Sequence, residues 1–200
     1  MLFKSTKVST IADSVAARFM VPSTHRVTNK KRVARLVEGL KLDRYKVHYN
    51  IESLEQCLYT QKHVQVSVGT QHYGIMQLHE QGQNLLNLQW NLAMLRMFKR
   101  TEQDINGYDF NYIEKMANLK PDKLPTRDKM YKAFIKQNEL SSVARVPLPK
   151  DKIRPKLQHN QDLRVLYGTI GYLSFVNKRE IINRFISEGI ITPIIQPIFY

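Results

Sequence analysis

The stretch IMQLHEQGQNLLNLQWNLAMLRMFK, residues 75–99, decides the fold class. Leu78, Leu85, Leu88, Leu92 and Leu95 recur in it at spacings of three, four or seven, joined by Leu86, Trp90 and Met94. Apolar residues at that period line one face of an α-helix. So wide an apolar face predicts a central, mostly buried helix with Trp90 in the core.

Shorter helical patterns flank it, at residues 31–40 (closed near Gly39), 51–60, 112–119, 127–137, 161–176 and 178–188, with Gly189 as the expected stop of the last. Residues 64–68 alternate and are β-branched, which predicts a short extended piece before Gly69 and Gly74. Residues 146–155 read as a proline-rich loop. The apolar tail, 190–200, contains Pro193 and Pro197, which argue against a regular helix. Such a tail packs on its own core or on a neighbouring protein. Nothing alternates strand with helix in βαβ fashion, so the expectation is an all-α domain over 41–189.

Composition narrows the partner. Lys and Arg number 31 against 17 acids, a formal net charge of +14. That balance points to a polyanion, and the 42% hydrophobic content places the charge on a folded body. Membrane insertion is not expected, because the most apolar internal stretch, 165–176, is too short to span and holds two glycines. Cys57 is the only cysteine, which excludes a disulfide framework and fits a reducing compartment. His63, His72 and His79 match no zinc spacing.

Charge is concentrated at two places. The first 37 residues carry Lys4, Lys7, Arg18, Arg26, Lys30, Lys31, Arg32 and Arg35 against Asp13 alone, with frequent Ser and Thr. Residues 1–20 therefore read as a mitochondrial transit peptide, the alternative being a disordered basic arm that binds RNA, and 21–40 read as an extended basic arm. Lys150, Lys152, Arg154 and Lys156 gather in and beside the proline loop. Both clusters are expected to meet RNA phosphates, independently of sequence. Tyr108, Tyr112 and Tyr131 are expected in the core rather than stacked on bases.

Four stretches carry a family resemblance. Leu54-Glu55-Gln56-Cys57-Leu58-Tyr59-Thr60-Gln61-Lys62 resembles the Leu-Glu-x-Ala-Leu-Thr-His-x-Ser helix of the ribonuclease III catalytic domain, with Cys57 in the small, buried alanine place. Met76-Gln77-Leu78-His79-Glu80-Gln81-Gly82-Gln83-Asn84-Leu85-Leu86-Asn87-Leu88 is similar, in apolar spacing and glycine, to the signature helix Glu-Arg-Leu-Glu-Phe-Leu-Gly-Asp-x-Val-Leu-Asn-Leu. Residues 131–140 resemble a later helix ending in Glu-Leu-Gly-Leu. Residues 163–186, anchored by Ile170-Gly171 and Arg184-Phe185-Ile186, resemble a helix pair of the same family.

The resemblance implies a ribonuclease III-like helical fold in which four carboxylates converge on divalent metal, activating water and stabilising charge at the phosphate. The matching positions here are His79, Gln83, Arg164 and Tyr167, none of them an acid. Arg164 sets a cation where the metal belongs, which opposes metal binding. Glu80 lies about 100° round the helix from His79. A small shift in register lets Asp162 restore one ligand, but not four. The resemblance therefore implies a scaffold without catalysis, metal or cofactor, similar to the ribonuclease III-like proteins of the mitochondrial ribosome's large subunit. Its expected partners are ribosomal RNA, neighbouring mitochondrial ribosomal proteins and a second ribonuclease III-like chain. The competing readings are a divergent double-stranded-RNA endoribonuclease using Asp162, Glu80 or a partner's acids, and a basic helical adaptor in mitochondrial RNA processing or at the inner membrane.

Overall fold

The structure, a computed structural model, describes residues 23–97, 126–146 and 153–199. The transit-like segment, the helix expected at 112–119, and Lys150 and Lys152 lie outside the described residues. Helix α1, Ser23–Leu40, leads through a short 3-10 turn at Asp43–Tyr45 to α2, Ile51–Cys57. An antiparallel hairpin follows, β1 Gln65–Val68 and β2 Gln71–Gly74, and runs directly into α3, Ile75–Met97. Then come α4 Arg127–Gln137, α5 Pro155–Val176, α6 Arg179–Arg184, a π-helical segment Phe185–Ile191, and α7 Thr192–Phe199. The molecule is mostly helical, and among the described residues no helix is long and apolar enough to cross a membrane.

Local chemistry explains the elements. Asn50 caps α2, its Oδ1 accepting from the backbone N–H of Glu52 at 2.8 Å and of Ser53 at 3.2 Å. Gly69, at φ +60°, supplies the left-handed turn that pairs Val68 with Gln71. The hairpin is tied to α2 by Ser53 Oγ, which donates to the Ser67 carbonyl, and by Ser67 N, which donates to Gln56 Oε1. β2 has no alternating apolar pattern, which is why the sequence shows only the first strand of the pair.

The principal contact of the fold is between α3 and α5. Here the expected roles exchange. Helix α3 buries one face, made of Ile75, Leu78, His79, Gly82, Leu86, Gln89, Trp90 and Met94, while Leu88 is 45% exposed. Helix α5 is the central one, buried from Asp162 to Leu173 except at Arg164. The reason is the glycines. A Cβ on Gly82 would lie 1.9 Å from the Tyr167 carbonyl oxygen, and one on Gly171 would lie 2.0 Å from that of Leu78. The two backbones touch, so the buried face of α3 is centred on Gly82, with Leu78 and Leu86 on it and Leu88 off it.

The ends of the domain correct two further expectations. The helix expected at 31–40 is present but begins at Ser23, so the basic segment is helical instead of an extended arm, and Val33, Leu36 and Leu40 lie on one buried face. The apolar tail is helical and packs on its own core through Ile190, Ile191, Ile194 and Ile195. Pro193 sits where the π-helical segment passes into α7, directly after Thr192, whose N–H is held by the Ser187 carbonyl. Pro197 lies inside the helix, but each buried isoleucine contributes about 1.5–3 kcal/mol, which together exceed a proline's cost of about 3 kcal/mol. Gly189 ends nothing: the chain passes through it as a π-helical segment, and a Cβ there would sit 2.9 Å from Tyr45 Cε2.

Candidate nucleic-acid interface

Where α3 crosses α5, the packing that brings Gly82 against Tyr167 also gathers the residues around the resembled metal position. His79 is 6% exposed and sits against Gly168, whose hypothetical Cβ would be 2.8 Å from His79 Cδ2. Its Nε2 has no hydrogen-bond partner among the described residues. Burial, aided by the nearby Arg164 charge, pushes the imidazole down to about 4, so it is neutral at physiological pH. Gln83, one turn on, is exposed, as is Arg164.

Tyr167 is buried and donates its hydroxyl to Asp128 Oδ1 of α4 at 3.5 Å. Burial, followed by the Asp128 charge, raises the Tyr167 phenol well above its usual range. Tyr131 stands edge-on to both Tyr167 and Trp90, with centroids at 6.3 Å and 6.2 Å, and its phenol is also raised by burial. Tyr131 thus lies in the core, as expected. Arg127 covers the Trp90 ring at 5.9 Å and donates to Asn87 and Asn91 of α3, closing the α3–α4 side. The crossing presents a neutral imidazole, two phenols, an amide and guanidinium groups, with Asp128 already engaged by a phenol. Among the described residues no group of three His, Cys, Asp or Glu side chains is placed to hold a metal ion.

Asp162 is occupied otherwise. It is 3% exposed, and its carboxylate accepts from Ser142 N at 2.8 Å, Ala144 N at 2.9 Å and Gln158 Nε2 at 2.9 Å. That geometry fastens the 140–146 segment to α5. Glu80 is exposed. Cys57 is fully buried, its thiol raised by burial and directed at the Gly168 carbonyl 3.9 Å away.

The two basic clusters fare differently. Arg32 fans its Nη1 over the carbonyls of Ser142, Val143 at 2.9 Å and Ala144 at 2.8 Å. Burial, then the charges of Arg145 and Arg35, lower its pKa, with Asp162 acting in the opposite direction. Arg35 Nη2 donates to the carbonyls of Glu139 at 2.7 Å and Ser141 at 2.6 Å. Asn29 links Arg145 to Tyr59 beneath them. Arg32 and Arg35 therefore clamp the 139–144 segment from the α1 side, opposite Asp162. Lys30 and Lys31 are exposed on α1, and Arg154 and Lys156 are exposed at the start of α5. The reading from sequence passed over Lys129, Lys132 and Lys136 of α4, although their spacing of three and four marks one helical face.

Compared with family models, with curated proteins and with solved structures, the chain has no significant match.

Proposed function

We propose that the chain is a non-catalytic RNA-binding protein, a ribonuclease III-like scaffold that serves as a structural constituent of the mitochondrial large ribosomal subunit. One observation carries the reading. At the α3–α5 crossing, where the resembled family converges four acids, this chain has a buried neutral His79, an exposed Gln83, an exposed Arg164 and a buried Tyr167. A guanidinium at that point attracts phosphate and repels divalent metal. The net charge of +14 supports the same partner. The endoribonuclease reading loses its best acid, since the Asp162 carboxylate is turned into the fold and consumed by two backbone donors and an amide. Ribosomal RNA is the primary partner in this reading, with neighbouring ribosomal proteins and a second ribonuclease III-like chain beside it, in the mitochondrial matrix.

The test is a sucrose gradient of mitochondrial lysate with the tagged chain followed at low and high salt. Migration with the large subunit in both is expected, because contacts through phosphates alone weaken by several orders of magnitude over that range and protein contacts would retain it. A chain that stays at the top of the gradient in both salts overturns the ribosomal assignment. Cleavage of double-stranded RNA by the purified protein with Mg²⁺ overturns the non-catalytic one.

A further inference from the structure

Helix α4 carries Arg127, Lys129, Lys132 and Lys136 against one acid, Asp128. Lys129, Lys132 and Lys136 are spaced i, i+3 and i+7, so they share one face. Two contacts fix how this face meets α5. Tyr167 donates to Asp128, and Lys132 Nζ donates to Asn160 Oδ1 at 2.8 Å. As α4 advances from 128 to 132, α5 retreats from 167 to 160, so the helices run antiparallel. One further turn, about 6 Å along each helix, reaches Lys136 on α4 and Lys156 on α5. Arg164 lies one turn from Asn160 in the other direction.

Cations thus line both sides of the α4–α5 seam, and the two helices contribute one acid each against them, Asp128 and Asp162. Asp128 accepts from Tyr167, and Asp162, the one acid of α5, is buried beneath the 140–146 segment. Lys129, Lys136, Lys156 and Arg164 are exposed, and among the described residues none is held in an ion pair. Arg32 and Arg35, by contrast, direct their donors at the chain's own carbonyls.

We infer that the α4–α5 seam, through Lys129, Lys132, Lys136, Lys156 and Arg164, is the surface on which this protein holds the RNA phosphate backbone. The inference rests on the RNA-binding reading above and relocates its contacts from the arginines of α1. Lysines act as point charges without a planar fork, so they position a backbone instead of reading bases.

The experiment uses the full chain and a short RNA duplex, with affinity measured by fluorescence anisotropy from about 50 to 200 mM salt. A K132Q/K136Q/K156Q variant is expected to lose tenfold or more in affinity. Its log–log salt slope should fall by roughly 2 to 3, since each phosphate contact contributes roughly 0.9. Arg164→Gln alone is expected to lower the slope by about 1, and K30Q/K31Q to leave affinity within about twofold. Circular dichroism checks that each variant keeps its helices. Wild-type binding with an unchanged slope in both the triple variant and Arg164→Gln overturns the seam and leaves the RNA-binding reading standing. A wild-type chain that fails to bind RNA even at low salt overturns both. Dependence on the same lysines for anionic vesicles, and not for RNA, overturns the inference in favour of a lipid surface.

Discussion

Replacing Gly82 with alanine tests the crossing on which the whole fold depends. The new methyl group would stand 1.9 Å from the Tyr167 carbonyl oxygen, 2.8 Å from its carbon and 2.9 Å from Gly171 N. Ordinary contact begins at 3.4 Å, so α3 and α5 must part locally by 3.4 − 1.9 = 1.5 Å. All three obstructing atoms are backbone, and no flexible side chain can swing aside. The fully buried Leu78, Leu86, Ile170 and Leu173 surround the crossing and lose contact as it opens. Overpacking of a tight interior costs about 1–3 kcal/mol, and rigid backbone on the far side puts this case near about 3. Alanine's better helix propensity returns about 1 kcal/mol, leaving a net loss of about 2. For a chain of this size that is a drop of about 4–8 °C in Tm, read by calorimetry or circular dichroism. Gly74→Ala is the control: its nearest atom is Gln77 Oε1 at 3.6 Å, an ordinary contact. A Gly82→Ala protein that melts at or above the wild type, or a Gly74→Ala protein that falls as far, refutes the reasoning.

Two further predictions concern buried polar groups. Asp162→Ala strips the acceptor from the Ser142 and Ala144 N–H groups and is expected to cost about 3 kcal/mol, at about 1–3 per orphaned donor; an unchanged urea midpoint would contradict it. His79 titrates near 6.5 unfolded but at about 4 folded, so the native state favours its neutral form. Its contribution is therefore fully present above pH 6.5 and is lost as pH falls towards 4. That amounts to roughly 2 kcal/mol between pH 8 and pH 5. Denaturation of wild type and His79→Gln across that range should show the stability difference shrinking by this amount; parallel curves would count against a buried neutral imidazole.

Periodicity in the sequence located α4 at the observed bounds and came within a few residues of α3, because both have uninterrupted 3.6-residue patterns. It made the buried face of α3 too wide, taking in Leu88 beside the buried Leu78, Leu86, Trp90 and Met94, since counting leucines says nothing about a glycine that lets two backbones touch. The tail failed for a related reason: Pro193, Pro197 and Gly189 are local signals for a stop, and four isoleucines meeting a core assembled from distant segments outweigh them. The α1 arginines looked like a free arm because their partners are carbonyls more than 100 positions away, and carbonyls leave no trace in a sequence. The identities of His79, Gln83, Arg164 and Tyr167 were legible one by one. The inward turn of Asp162 was not, because it depends on where the 140–146 backbone passes.

The clamp of Arg32 on Ser142 joins residues 110 positions apart. At a synthesis rate of about 5–20 residues per second, Arg32 emerges some 5–20 seconds before the carbonyls that receive it. Throughout that interval α1 has only α2 and the chain close behind it to pack on, and its two arginines lack the carbonyls they will hold. The first described helix to be made is thus among the last to be locked, its arginines closing over a loop that Asp162 of α5 holds from the other side. A chain interrupted before Asp162 leaves that helix open to any acidic or apolar surface in the crowded space where it is born.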